Sequence, residues 1–144
     1  MNDPNCIFCK IVAGDLTAAR VAETDDALAF LDIVQPRPGH VLVIPKAHYC
    51  DLLSMPEELA AAAMRLTHRV AGAVAPTLAP AGLSVVQWNG AAAGQEVMHM
   101  HVHLQPRESG DGLLSYYGAS GAPLASSAEE LEALAQRIRS GLVV

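Results

Sequence analysis

The chain has 144 residues, enough for one domain that buries most of the surface its unfolded form exposes. Its formal charge of -6, from 9 basic and 15 acidic residues, argues against a basic nucleic-acid-binding face. No apolar run reaches membrane-spanning length, and "MNDPNCIFCK" at the N-terminus shows no signal pattern. Hydrophobic residues make up 51% and aromatics only 4%, so the core has to be built from Ala, Val, Leu and Ile. Three cysteines, two of them in a C-x-x-C pair, suit thiolate chemistry in a reducing cytoplasm better than disulfides.

In chain order, "CIFCKIVA" from Cys6 to Ala13 suits a short helical turn stopped by Gly14. "RVAETDDALAFLDI" reads as two short strands around a turn at Asp25-Asp26. "PRPGHVLVIPK" reads as a turn and then a buried strand, Val41 to Pro45, rich in β-branched residues. Ser54-Met-Pro-Glu57 has the form of a capping box opening a long Ala-rich helix to about Val74. Leu59, Ala63, Leu66, Val70 and Val74 share one face of that helix, and Pro76 and Pro80 end the pattern. "GLSVVQW" resumes as a strand, and "NGAAAG" links it to "VMHMHVHL" as in a hairpin. "ESGDGLLSYYGASGAPLAS" is rich in turn residues, and Ser127-Ala-Glu-Glu130 caps a last helix to about Arg139. Strands in hairpin order, one long helix and a C-terminal helix predict an α+β fold with an antiparallel sheet of about five strands. No internal repeat or linker divides residues 1–144.

The chemistry concentrates in "GQEVMHMHVHLQPR", where His99, His101 and His103 alternate with apolar residues. On a strand they would share one face, with Met98, Met100, Val102 and Leu104 packed on the other against the long helix. At roughly 3.3 Å per residue, the outer two histidines would lie about 13 Å apart. Zinc–nitrogen bonds are near 2 Å, so a regular strand cannot offer all three to one ion. The three need separate roles.

"HMHVH", with its apolar interleaving, resembles the signature of the histidine-triad (HIT) superfamily; Gln105 departs from its strictly apolar end. "CIFCKIVAGDLTAARVAETDDALAFLDIVQPRPGHVLVIPKAHY" resembles that family's N-terminal half, and "NGAAAGQEVMH" its phosphate-binding lead-in. The resemblance covers residues 6–107, leaving 108–144 as a C-terminal extension, and is closest to the Hint-like branch. It implies nucleotide binding, a nucleotidyl-histidine intermediate, and a homodimer whose sheet continues across the interface. The implied activity is hydrolysis of purine nucleoside 5'-phosphoramidates or of aminoacyl or lysyl adenylates. Dinucleoside polyphosphate hydrolysis and a mononucleotide-binding module without turnover are the alternatives.

By the same resemblance His101 is the nucleophile, His103 binds phosphate oxygens, and His40 supports the nucleophile. A neutral imidazole suits attack on phosphorus when its other ring nitrogen is held by an acceptor such as a backbone carbonyl. Small residues in "NGAAAGQ" let backbone N–H groups approach a phosphate, with Asn89, Gly94 and the Gln95 amide alongside. Trp88 and Glu96 stand where relatives carry an amide and a hydroxyl side chain. An anionic Glu96 repels phosphate unless it points away or meets a cationic leaving group. Asp32 matches the family's ribose-binding acid, and Ile7, Phe8, Phe30 and Ile33 would line the slot for the base.

Cys6 and Cys9 have the spacing that zinc prefers, although a lone C-x-x-C also suits a redox pair. In the zinc-bearing members, the positions of Cys6, Cys9, His48 and His99 hold the ion, so the resemblance implies a closed, structural zinc site. Cys50 reads as a small buried residue, His68 as solvated, and Met98 and Met100 as core.

Overall fold

The computed structural model describes residues 3–113 and 126–142, and among these it has five strands and the three α-helices named below. Helix α1 (Ile7–Ala13) ends where Gly14 takes the left-handed conformation, φ 87°, and its N–H closes onto the Ile11 and Lys10 carbonyls. The strands are β1 (Arg20–Glu23), β2 (Ala27–Leu31), β3 (Val41–Pro45), β4 (Gly82–Gln87) and β5 (Val102–Arg107). They form one antiparallel sheet in the order β1-β2-β3-β5-β4.

Every residue of β2 and β3 is buried, which explains their unbroken apolar runs: both faces of the central sheet are covered. On one face Ala27, Ala29, Val41, Val43 and Leu104 pack against Ala63, Leu66 and Val70 of α2 (Glu57–Leu78) and Ile138 of α3 (Ala128–Ser140). On the other, Leu28, Phe30, Leu42 and Ile44 meet Phe8, Cys9 and Ile11 of α1. Burying a side chain such as Phe8 is worth about 1.5–3 kcal/mol, so a seven-residue helix that could not persist alone is held by its contacts. Helix α3 begins with the expected capping box between Ser127 and Glu130.

Five local expectations are corrected. Ser54 does not cap α2: it pairs with Asp51 in a capping box around the 3-10 turn Leu52–Ser54, and Pro56 takes the N-cap place of α2. Nor does Pro76 end that helix, which runs on to Leu78. Pro76 and Gly72, whose carbonyl loses its donor, both lie on the exposed face, where water can replace the missing bond. The sheet ladder takes up the histidine run only at Val102; before it, the Met100 N–H is satisfied by the Tyr49 carbonyl at 2.7 Å. Met100 is buried as expected, but Met98 is 42% exposed, and Cys50 is exposed rather than buried. Of the turn-rich segment after Arg107, residues 114–125 lie outside the described residues.

Candidate active site and metal group

The position just ahead of β5 brings the nucleophile candidate to the α1 face. His103 sits in the ladder between Leu42 of β3 and Val86 of β4, and His101 stands at the strand's entrance. The buried His101 places Nδ1 2.7 Å from the His99 carbonyl oxygen. A carbonyl only accepts, so Nδ1 carries the proton and Nε2 keeps its lone pair. Burial lowers the His101 pKa below its ordinary value, and His40 adds to this; the His99 carbonyl and the charges of Asp32 and Glu96 act the other way. Phe8 covers the ring edge-on at 5.3 Å.

Beside it runs a second chain of bonds. His40 Nδ1 lies 2.8 Å from the Val34 carbonyl, and His40 Nε2 lies 2.9 Å from His103 Nδ1. Asp32 is 3.7 Å from His40 Nδ1 through one oxygen, while its other oxygen accepts from the Val34 N–H at 2.9 Å. Burial, with help from His40 and His101, pushes His103 down to about 3. Its Nε2 is buried without a protein partner, and the Trp88 ring centre stands 5.0 Å from its own.

Asp32, His40 and His103 also lie within reach of a common point, but they do not make a convincing metal site. Two nitrogens 2.9 Å apart, each on an imidazole, are sharing a proton.

Sequence reasoning missed Gln35, which assembles the His40 turn. Its Oε1 accepts from the Gly39 and His40 N–H groups at 2.8 and 3.0 Å, and its Nε2 donates to the Asp32 and His40 carbonyls at 2.7 and 2.8 Å. A polar residue among the prolines of "QPRPGH" was the available signal, and it does not by itself separate this role from a solvated turn. Gly39 is fixed for a second reason. Its φ is 98°, and a Cβ there would lie 2.3 Å from Leu78 Cδ1.

The loop 88–96 stands over this pair. Gly90 and Gly94 adopt positive φ around the 3-10 turn Ala91–Ala93, a geometry that favours glycine. The buried Gln95 amide serves the loop itself: it accepts from the Gly90 N–H at 2.7 Å and donates to the Cys50 and Val97 carbonyls at 2.5 and 2.9 Å. Asn89 is likewise engaged, accepting from the Leu52 N–H at 2.8 Å and exchanging bonds with Gln87. Glu96 is exposed. Trp88 lies beneath Gly94, 3.7 Å from where a Cβ would be.

Of the four apolar residues expected around the base, Phe8 and Phe30 are buried and pack edge-to-face with centres 5.6 Å apart. Ile7 and Ile33 are 48% and 65% exposed, which leaves them free to meet a ligand.

A separate group lies where α1 meets the segment before β5. Cys6, Cys9, His48 and His99 offer donor atoms all within 4.8 Å of one another. The Nδ1 of His99 is 3.4 Å from Cys6 Sγ and 3.7 Å from Cys9 Sγ, and that of His48 is 3.4 Å from Cys9 Sγ. Tetrahedral zinc with bonds of about 2.3 Å to sulfur and about 2.0 Å to nitrogen requires sulfur–nitrogen edges of roughly 3.6 Å. The donor set therefore fits such an ion. His99 Nε2 lies 2.9 Å from the Pro45 carbonyl, which fixes the tautomer that leaves Nδ1 free to ligate. Burial pushes His99 down to about 4, so the ring is neutral near pH 7, as a ligand must be.

The chain matches the HIT domain over residues 13–110. It is 39% identical over 136 residues to adenosine 5'-monophosphoramidase hnt1 of Schizosaccharomyces pombe, covering 94% of this chain and 97% of that protein. The fold superposes on a HIT-like protein of Bartonella henselae with a TM-score of 0.85, at 35% identity over 97% of this chain and 98% of that one. A zinc-bound histidine triad family protein from Mycobacterium smegmatis gives 0.80, at 34% identity over 96% and 93%. With its α+β sheet, histidine run and family match together, the chain belongs to the HIT family.

Proposed function

We propose that the protein is a nucleotide-binding hydrolase that cleaves purine nucleoside 5'-phosphoramidates, or aminoacyl or lysyl adenylates, through a nucleotidyl group on His101. The observation that carries this reading is the 2.7 Å bond from His101 Nδ1 to the His99 carbonyl, which leaves Nε2 as a fixed, neutral nucleophile. The likeness to a protein named as an adenosine 5'-monophosphoramidase supports the substrate class.

Nε2 attacks the α-phosphorus, and the amine or carboxylate leaves with the bonding pair of its bond to phosphorus; an amine takes a proton from solvent as it leaves. Water then attacks the nucleotidyl-histidine, returns one proton to solvent, releases the monophosphate and restores the imidazole. His103 binds phosphate oxygens, and His40 holds His103 from behind. Asp32 accepts from the ribose hydroxyls, with Ile7, Phe8, Phe30 and Ile33 around the base. The loop carrying Asn89, Gly94, Gln95 and Glu96 borders the phosphate; the Gly94 and Gln95 N–H groups donate to the Ala91 and Gly90 carbonyls, so they shape the loop rather than meet substrate. The buried Gln95 amide supports this by holding that loop rather than by meeting substrate.

On the same reading Cys6, Cys9, His48 and His99 hold a structural zinc, supported by donor spacing and by the zinc-bound relative. With four protein ligands the ion contributes stability by tying α1 to the chain ahead of β5. The protein acts as a homodimer, a reading supported by β4 standing at a sheet edge, and in the cytoplasm, a reading supported by its three free cysteines. Among the described residues no helix is long and apolar enough to cross a membrane.

The deciding experiment is a rapid-quench reaction with adenosine phosphoramidate, lysyl-adenylate and diadenosine polyphosphates in parallel. A nucleotidyl adduct mapped to His101, with turnover fastest on the first two, is expected. Faster turnover of the diadenosine polyphosphates would transfer the assignment to that class, and bound nucleotide recovered intact throughout would leave a binding module.

A further inference from the structure

The bonds behind His103 count protons. The Val34 carbonyl can only accept, so His40 Nδ1, 2.8 Å away, is protonated. In a neutral His40 the other nitrogen, Nε2, is then an acceptor. The 2.9 Å contact to His103 must therefore be a bond donated by His103 Nδ1–H. A neutral His103 with its proton on Nδ1 has a bare lone pair on Nε2. That atom is the one buried here without a partner. Moving the shared proton to His40 Nε2 does not help, because it makes His40 a cation unless Nδ1 surrenders its bond to Val34. In the neutral pair, His103 thus presents a lone pair where a phosphate oxygen needs a donor.

We infer that a nucleotide phosphate engages His103 only as the His40–His103 pair takes one proton from solvent, so that Nε2–H donates to a phosphate oxygen. This rests on the proposed placement of the α-phosphate at His101, whose ring is 4.9 Å from that of His103. In the balance, the neutral pair with two ring protons plus one solvated proton becomes a cation with three. His40 Nδ1–H stays on Val34, His103 Nδ1–H on His40, and the third proton lies between Nε2 and the phosphate. The titratable groups that face the pair are Asp32, 3.7 Å from His40 Nδ1, His101, and Glu96 beyond His101. Asp32 favours the cation, as does the arriving phosphate, whereas a protonated His101 would oppose it. The Val34 carbonyl is thus a positioning group: by fixing one proton on His40 it decides which nitrogen of His103 is bare.

The test is calorimetric titration of the purified protein with adenosine 5'-phosphate methyl ester, whose monoanion cannot itself be protonated near neutrality. At about pH 8, free imidazoles of ordinary pKa are neutral. Repeating the titration in buffers of different ionisation enthalpy gives the protons exchanged per nucleotide bound. Uptake close to one proton is expected, with affinity weakening up to about tenfold per pH unit as pH rises. A His103→Gln variant, whose amide donates without a proton, should bind with uptake near zero and a flat pH dependence. Binding without proton uptake in the native protein overturns this inference alone, and so does uptake that persists in His103→Gln. If the native protein binds no nucleotide, the functional reading falls and this inference falls with it.

Discussion

The imidazole Nδ1 of His101 and the carbonyl oxygen of His99, two residues apart in the chain, are 2.7 Å apart in space. The backbone that supports the proposed nucleophile therefore belongs to a residue whose side chain faces Cys6 and Cys9 instead. Replacing His101 by Ala or Gly removes the attacking nitrogen but none of the four metal donors. Turnover of adenosine phosphoramidate is expected to fall by more than about a thousandfold, while metal content and mononucleotide binding persist. Turnover within tenfold of the native rate would place the nucleophile elsewhere.

The state of that nitrogen sets the pH dependence. The reactive form is neutral, and burial lowers the His101 pKa, so protonation and loss of reactivity come only at more acid pH than for a free imidazole. In single-turnover reactions at saturating substrate, where binding is no longer read, the acid limb should have its midpoint below about 6.5. Glu96→Gln removes a charge that holds the proton on His101, so the midpoint should move further to acid. A native midpoint at or above the free-imidazole value, or an alkaline shift in Glu96→Gln, would contradict this account.

Strand β3 and the capping box of α3 were legible because each rests on neighbouring residues alone: a β-branched run, and Ser127 three positions before Glu130. Ser54 was misread because an earlier partner, Asp51, competes for it, and sequence spacing does not rank two possible partners. The histidine run read as a longer strand than it is. Its period is right from Met100 onward, but His99 answers to contacts remote in sequence, with Cys6, Cys9 and the Pro45 carbonyl, and Met98 is exposed. Gln35 stayed hidden because its bonds run to backbone, and backbone partners leave no residue pattern.

That hidden residue gives a separable prediction. Gln35→Ala strips the donors and acceptors that shape the turn ahead of His40, including its own N–H and carbonyl contacts. A loss of about 2–3 kcal/mol in unfolding free energy is expected in a denaturant titration. kcat should drop more than KM rises, since His40 is misplaced while the base slot is intact. Gly39→Ala should destabilise by a similar amount for a different reason, a methyl forced against Leu78 at positive φ. If either variant unfolds at the native midpoint, that residue's role in the turn is refuted.

The metal group supports a prediction that separates stability from chemistry. Cys6 and Cys9 lie at the start of α1, which is too short to persist without its packing and its tie to His48 and His99. One zinc per chain is expected by elemental analysis, and none in the double variant Cys6→Ser/Cys9→Ser. Losing several kcal/mol of linkage should lower Tm on the order of 10 °C in a chain of 144 residues. Activity should follow only indirectly. His99 orients His101 through its backbone carbonyl, which the chain still supplies after the thiols are gone. A variant kept below its lowered Tm should therefore retain a measurable nucleotidylation step, slowed by roughly tenfold through looser placement of His101. Zinc retained at full stoichiometry in the double variant would refute the four-ligand assignment. A total loss of chemistry while the variant is still folded would instead place the ion in the reaction itself.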